Sequence, residues 1–260
     1  MKIPVYQIDA FSAKAFGGNP AAVCLLSAWL PDELLQSVAV ENALPATAYL
    51  VPTGDDRYDI RWFTPTRELE LCGHATLASG HVVFERLRPE LRTVTFASRG
   101  GPLHVSSADG RIVLDFPARP AQPCPVPAGI VEALGAAPEQ TLHGSSLVAV
   151  YASENDVRTM TLDMAAIGRL DAHGVIVTAP GTDADFVSRF FAPNMGVPED
   201  QVTGSAHCAL TPYWSARLGK NALHARQLSR RGGELWLEMA GDRVRLAGYA
   251  APFLEGAIEI

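Results

Sequence analysis

Arg61-Trp62-Phe63-Thr64-Pro65 and Arg189-Phe190-Phe191-Ala192-Pro193 are two versions of one pattern, separated by close to half of the chain. Each is followed by an acidic connector and a tight glycine turn, Cys72-Gly73-His74-Ala75-Thr76 in the first half and Thr203-Gly204-Ser205-Ala206-His207 in the second. Aromatic and β-branched residues before each connector are typical of strands. The sequence therefore predicts the same strand-and-turn unit twice.

A third match lies further along the chain. Ser98-Arg99-Gly100-Gly101-Pro102-Leu103 corresponds to Arg230-Arg231-Gly232-Gly233-Glu234-Leu235, and each runs into alternating apolar residues around a turn of aspartate and glycine. One short match arises easily by chance, but three in the same order at nearly the same offset do not. We infer an internal duplication.

Each half also contains a segment with no polar face. Residues 75–84, and the residues from Ala206 onward, are small and apolar nearly all round. A helix of that kind is a buried one, and the double-glycine segments are expected to open hairpins. The predicted fold class is α+β, with two pseudo-symmetric lobes, each a bent, barrel-like sheet around a central buried helix.

The boundary between the halves is marked by proline. The segment Phe116–Pro127 carries five prolines in twelve residues, which suits an extended linker. We place the N-terminal lobe at residues 1–118 and the C-terminal lobe at 119–260. The last strand, Gly248 to Ile260, either completes the second lobe or packs back on the first.

Composition excludes several functional classes. The 260 residues carry a net charge of −7 at a pI near 5.5, which argues against nucleic acid or an anionic membrane surface as partner. No apolar run reaches the about 18 residues needed to cross a bilayer, and the N-terminus does not resemble a signal peptide. The four cysteines form no Cys-x-x-Cys pair and no metal-binding spacing. We expect a cytoplasmic protein with reduced thiols and no bound metal.

The glycine turns indicate an anion site. A buried helix that begins at such a turn has backbone N–H groups without intrahelical partners, and its dipole adds about half a positive charge there. Either a capping side chain, such as that of Thr203 or Ser205, or a bound anion must accept these hydrogen bonds. Two matched turns favour the anion, and we predict a small carboxylate held in the cleft between the halves.

The side chains at these turns suit proton transfer. His74 can carry a proton near neutral pH, and Asp200, just before the second turn, can act as a base or orient a histidine. Ser205 and Thr203 offer hydroxyls that orient a substrate. His207 is ambiguous between a core residue and a site residue. The other five histidines, which have no such context, are His81, His104, His143, His173 and His224.

The same residues resemble those of a known family. The chain is similar to the PhzF family of phenazine-biosynthesis-like isomerases over nearly its whole length. The resemblance rests on Phe16-Gly17-Gly18-Asn19-Pro20-Ala21-Ala22-Val23, Leu71-Cys72-Gly73-His74-Ala75-Thr76, Glu199-Asp200, Val202-Thr203-Gly204-Ser205-Ala206-His207 and Ser229-Arg230-Arg231-Gly232-Gly233-Glu234. It implies the diaminopimelate epimerase-like fold, a homodimer, and proton shuffling on a small cyclic or amino acid without a cofactor.

The resemblance also implies which residues act. His74, Asp200 and Ser205 fall on positions that are catalytic in the family. The positions that contact substrate are Asn19, Ala46, Gly73, Ala75, Thr203, Gly204 and Ala206.

One of these positions departs from the family pattern. The family acid/base is a glutamate in a motif of the form Glu-x-Asn-Leu-Ser-Glu-Thr-Ala-Phe, and here residues 41–49 read Glu-Asn-Ala-Leu-Pro-Ala-Thr-Ala-Tyr. The glutamate position is therefore Ala46, which transfers no proton. Loss of a positioned acid/base typically lowers the rate by about 10²–10⁴-fold.

Three functions stay open on this basis. The chain is an isomerase whose base is Asp200, His74 or Cys72, or a small-acid binding protein that kept the cleft and lost the chemistry. The third is a cysteine-based racemase or epimerase. It requires a thiol at both helix starts, whereas Thr203 corresponds to Cys72 and Cys208 lies further along its helix.

Overall fold

A computed structural model describes all 260 residues and contains eighteen strands. In chain order they are β1 Lys2–Ala10, β2 Asn19–Leu25, β3 Ala46–Pro52, β4 Arg57–Phe63, β5 Glu68–Leu69, β6 Thr93–Ser98, β7 Gly101–Ala108, β8 Arg111–Pro117, β9 Gln122–Pro123, β10 Gln140–His143, β11 Leu147–Val150, β12 Val175–Pro180, β13 Phe186–Ala192, β14 Val197–Asp200, β15 Ala222–Gln227, β16 Gly233–Ala240, β17 Arg243–Gly248 and β18 Ala250–Glu259.

Six α-helices connect or support the strands. They are α1 Asp32–Asn42, α2 Gly73–Val82, α3 Ile130–Leu134, α4 Glu154–Arg158, α5 Met164–Arg169 and α6 Gly204–Leu218. A π-helical turn, Val83–Leu87, continues α2, and a short 3₁₀ turn, Pro193–Met195, precedes β14. None of the helices is long and apolar enough to cross a membrane.

The chain divides into two compact units. The first contains Met1–Phe116 together with Arg245–Ile260, and the second contains Pro117–Val244. The last strand belongs to the first unit because β18 pairs antiparallel with β1 along its whole length, from Lys2 opposite Glu259 to Ala10 opposite Ala250. This answers the question about the last strand that the sequence left open.

The order of strand pairing is the same in both units. In the first, β1–β2 is antiparallel, β2–β3 parallel, β3–β4 antiparallel, β4–β6 parallel and β6–β7 antiparallel. In the second, β10–β11, β11–β12, β12–β13, β13–β15 and β15–β16 repeat that series. Parallel neighbours need a crossover connection, and helices supply it at matching places, with α2 between β4 and β6 and α6 between β13 and β15. The predicted duplication is confirmed.

The predicted hairpins form where the turn residues allow them. Asp109 and Gly110 join β7 to β8 with φ values of 52° and 73°. Positive φ values at both central residues define a type I′ turn, whose twist matches that of the two flanking strands. An aspartate followed by a glycine tolerates both values. Gly101 opens β7 at a φ of 108°, as the double-glycine segment predicts.

Helix α2 is buried on all sides, as expected from its composition. Eight of its ten residues are buried, and it packs against β1, β2, β3 and β7. Small residues allow the strands to approach closely: a Cβ on Gly80 would lie 2.8 Å from Val105 Cγ1 and 3.0 Å from Ile112 Cγ2. A buried helix packed in this way positions its first turn rigidly.

Helix α6 is largely buried from its start to Ser215, apart from the exposed Ser205 in its first turn, and it is exposed again in its last turn. Trp214 anchors it, because its Nε1 donates to Thr178 Oγ1 at 3.0 Å and its indole stacks on Phe186 with ring centroids 5.5 Å apart. The stacked aromatic pair and the satisfied indole N–H hold the helix in its unit.

Candidate active site

The start of α2 has no capping side chain. Its N-cap residue is Cys72, in an extended conformation, and no side chain of that residue bonds to the first turn. The Thr76 hydroxyl instead donates to the Cys72 carbonyl oxygen at 2.7 Å, which braces the N-cap from inside the helix. The predicted turn residues Gly73, His74 and Ala75 therefore form the first helical turn. Their backbone N–H groups carry the positive end of the helix dipole.

His74 and Cys72 form a pair at this helix start. Cys72 Sγ lies 3.5 Å from His74 Nδ1, and both side chains are buried. A thiol and an imidazole nitrogen at this distance can form a hydrogen bond and share one proton. The pair can therefore hold or pass one proton.

Asn19 and Ala46 begin two neighbouring parallel strands. They are the first residues of β2 and β3, Ala46 pairs with Ala21, and both side chains are fully buried. Helix α2 packs on both strands. At position 46 the protein presents only a methyl group, which has no acid or base function.

The loop before Asn19 is held by a residue that the sequence analysis missed. Asp9 is almost fully buried, and its Oδ2 accepts a hydrogen bond from the Phe16 backbone N–H at 2.7 Å. Phe16 and Gly18 have φ values of 71° and 61°, and a Cβ on Gly18 would lie 2.1 Å from the Ala10 carbonyl oxygen. Only glycine fits there. The sequence signal for Asp9 was an aspartate among the apolar residues of a strand, where a charged side chain is rarely found without a partner.

The start of α6 repeats the uncapped arrangement. Thr203 is its N-cap residue, and its hydroxyl makes no capping bond. It donates to Asp200 Oδ2 at 2.6 Å, and Asp200 Oδ1 accepts from the Gln201 backbone N–H at 3.0 Å. The Thr203 side chain therefore does not cap the helix, and the structure brings Asp200 and Thr203 into direct contact.

Ser205 is the exposed residue of this turn. Gly204 and Ala206 on either side of it are buried, whereas Ser205 faces solvent. Its hydroxyl is in the same helical turn as the backbone N–H groups of Gly204 and Ala206. The turn can donate several hydrogen bonds to one anionic group.

Gln227 is a second residue that the sequence analysis missed. Its side chain is buried at the end of β15 and spans the connector: Nε2 donates to the Asp200 carbonyl oxygen at 2.8 Å, and Oε1 accepts from the Thr203 backbone N–H at 2.9 Å. Buried and less buried residues alternate along β15, and Gln227 follows Leu223 and Ala225 on the buried face. A polar residue on that face predicts a buried hydrogen-bonding role.

His207 is a structural residue. Its Nδ1 donates to the Thr203 carbonyl oxygen at 2.8 Å, and the Ser188 hydroxyl lies 3.4 Å from Nε2. Burial lowers the pKa of His207 to about 4, so the ring is neutral at physiological pH. It occupies the position that corresponds to Thr76 in the first unit, and it braces the N-cap carbonyl in the same way. Of the two roles that the sequence left open for His207, the hydrogen bonds support that of a core residue.

Matched ion pairs precede both helix starts. Arg61 Nε and Nη2 bind the two oxygens of Glu68 at 2.7 and 2.8 Å, and Arg189 binds Glu199 in the same bidentate way at 2.7 and 3.1 Å. Each glutamate lies in the short strand before the turn. The planar guanidinium fits a carboxylate bidentately, so each connector enters its helix from a defined position.

No group of three or more histidine, cysteine, aspartate or glutamate side chains is arranged to hold a metal ion. None of the four cysteines forms a disulfide, and burial raises the pKa of Cys24 and of Cys208 to about 12.

Comparison with known proteins gives one consistent result. The family model described as phenazine biosynthesis-like protein, PhzC-PhzF, matches residues 8–256. An uncharacterized isomerase of Pseudomonas aeruginosa is 49% identical, with all of both chains covered. The crystal structure of a PhzF-family phenazine biosynthesis protein from Enterococcus faecalis covers all of both chains at 42% identity and a TM-score of 0.97.

A more distant likeness concerns the fold alone. A hydroxyproline epimerase from Agrobacterium vitis is 10% identical, with a TM-score of 0.64 over 99% of this chain and 92% of the other. The predicted α+β, epimerase-like fold is confirmed. Because the family model and the full-length relatives agree, the chain belongs to the PhzC-PhzF family of phenazine biosynthesis-like proteins.

Proposed function

We propose that this protein is a cofactor-independent isomerase that moves a proton on a small carboxylic or amino acid. The observation that carries the proposal is the pair of buried helices that begin without a side-chain cap from their N-cap residues. Each start has a proton-carrying group, His74 in one unit and Asp200 in the other. The isomerase name of the Pseudomonas relative supports the reaction class.

We assign the roles as follows. In the second unit the N–H groups of Gly204 and Ala206, with the Ser205 hydroxyl, bind an acid group of the substrate. In the first unit the N–H groups of Gly73 and Ala75 offer the equivalent donors. Asp200 and His74 remove and return the proton. Asp200 suits the role of base because hydrogen bonds from the Thr203 hydroxyl and the Gln201 backbone N–H hold its carboxylate in one orientation.

Ala46 favours a second candidate, a binding protein without catalysis. The fully buried methyl group stands where the family pattern has its glutamate acid/base. A protein that kept the anion-binding turns and lost this group would bind the acid and leave it unchanged. The isomerase and the binding protein should both bind the acid, but only the isomerase should convert it.

The cysteine-pair mechanism is less well supported. It needs a reactive thiol at each helix start, and Cys208 lies in the second turn of α6, where burial raises its pKa to about 12. A thiol of that kind stays protonated and unreactive at neutral pH.

The deciding experiment is proton NMR of the protein in D₂O with a panel of small acids, including dihydroaromatic acids and amino acids. An isomerase exchanges an α- or ring proton of one compound for deuterium. The variant Ala46→Glu is measured in parallel. Exchange by the variant alone would reject the enzyme in favour of the binding protein, and no bound acid in either would reject both.

The family resemblance further leads us to propose a homodimer in the cytoplasm. Light scattering on the purified protein measures the assembly directly. A monomeric mass over a range of concentrations would contradict the dimer.

A further inference from the structure

A chain of hydrogen bonds runs from Gln227 to the Asp200 carboxylate. The orientation of the Gln227 amide is determined by two backbone groups: the Thr203 N–H donates to Oε1 at 2.9 Å, and Nε2 donates to the Asp200 carbonyl oxygen at 2.8 Å. A backbone N–H can only donate and a carbonyl oxygen can only accept. The amide therefore cannot be flipped without loss of both bonds.

This orientation decides where the Thr203 hydroxyl proton points. The second proton of Gln227 Nε2 faces Thr203 Oγ1 at 3.2 Å, so that oxygen acts as an acceptor. Its single proton is then directed to Asp200 Oδ2, at 2.6 Å. A short O–H to carboxylate bond of this kind is charge-assisted and directional.

The anchor of this chain is rigid. Gln227 is 1% exposed, and it comes from β15, whereas Asp200 and Thr203 belong to the connector before α6. A buried amide with its polar atoms in use holds one geometry, because every alternative leaves a buried group unsatisfied. The carboxylate is thus oriented by a strand that lies outside its own segment.

We propose that Gln227 is a positioning residue that directs the Asp200 carboxylate through the Thr203 hydroxyl. The inference rests on the proposed function only in that Asp200 is the group that moves the proton. Gln227 touches no reacting atom. Thr203 uses its only hydroxyl proton on Asp200, so its hydroxyl can contact a substrate only as an acceptor.

The kinetic test uses Thr203→Val, Gln227→Met and the double variant. We expect each single change to lower kcat for proton exchange by about 10- to 100-fold with a smaller change in KM, because a displaced catalytic group loses rate at this scale. The double variant should lose no more than either single variant, since both changes break one chain. Thr203→Ser, which keeps the hydroxyl, should keep most of the rate.

Ser229→Ala is the matched control. The Ser229 hydroxyl donates to the Gln201 carbonyl oxygen at 2.7 Å, in the same connector, but has no part in the chain to the carboxylate. A general loosening of the connector would slow this variant as much as Gln227→Met. The positioning role predicts that its kcat stays close to that of the unchanged protein.

Crystal structures of the variants give a readout that is independent of activity. The Asp200 carboxylate should turn away from its present orientation in Thr203→Val and Gln227→Met and stay in place in Ser229→Ala. An unmoved carboxylate in both variants, or additive losses of rate, would overturn the proposal. If the unchanged protein exchanges no proton, the proposed function fails and these structures still decide the positioning. If Gln227→Met does not fold, Thr203→Val decides alone.

Discussion

At the scale of single residues, the two units place different chemistry at equivalent positions. Cys72 corresponds to Thr203 at the N-cap, and His74 corresponds to Ser205 in the first turn. One half therefore presents a thiol and an imidazole, and the other presents hydroxyls beside Asp200. Duplication retained the backbone arrangement, and substitution made the two helix starts chemically distinct.

Asp200 provides the clearest prediction at this scale. Asp200→Asn keeps the shape of the side chain and removes its basicity. We expect proton exchange on the substrate to fall by about 10²–10⁴-fold, while the dissociation constant of the acid, measured by calorimetry, changes little. An unaffected exchange rate would show that another group is the base. Asp183→Asn, on an exposed residue, is the control.

His207 predicts how stability depends on pH. Its folded pKa of about 4 lies below the ordinary value of 6.5, so between these values the unfolded chain binds more protons. The free energy of unfolding should therefore fall as pH drops from 6.5 to 4, by up to about 3 kcal/mol from this group.

Urea denaturation across this pH range measures the effect. His207→Gln should flatten the slope, whereas His173→Gln, at an exposed site, should leave it unchanged. An equal slope in the protein and in His207→Gln would assign the pH dependence to other groups.

At the scale of elements, the central helices depend on small residues. Gly80→Val would place its Cβ within 3.0 Å of two methyl groups of neighbouring strands. Overpacking of this kind costs about 1–3 kcal/mol of unfolding free energy, measurable by urea denaturation. Gly54→Ala, whose nearest neighbour is Arg57 Cβ at 3.6 Å, should change stability little. Equal effects at both positions would contradict the packing argument.

The first turn of α6 yields the next prediction. Gly204→Val adds a branched side chain beside the N–H groups that we assign to the anion, so binding of a small acid should be lost in NMR titration. Ala216→Val, on the exposed last turn of the same helix, is the matched control and should bind normally. Normal binding by Gly204→Val would exclude this helix start as the anion site.

At the scale of the whole molecule, the first unit is closed by a strand from the other end of the chain. Because β18 pairs with β1 over its full length, removal of residues 250–260 leaves the N–H and C=O groups along that side of β1 unpaired. We expect the shortened chain to lose cooperative thermal unfolding by circular dichroism and to aggregate. A chain without Ile260 alone should unfold as the full chain does. Cooperative unfolding of the shortened chain would contradict a structural role for β18.

The duplication, the hairpins, the two buried helices and the turns that begin them could all be predicted from the amino-acid sequence. Local periodicity and turn chemistry decide those features, and they are visible within short windows of residues. It also pointed to His74, Asp200 and Ser205 through their places in the repeated motif.

Four features became visible only in the folded chain: the partner of β18, the loop anchor Asp9, the bridge made by Gln227 and the structural role of His207. Each depends on groups that are distant in sequence and are brought together by packing. No local pattern specifies which buried donor meets which acceptor, because hydrogen bonds in the core are satisfied between elements and not within one segment.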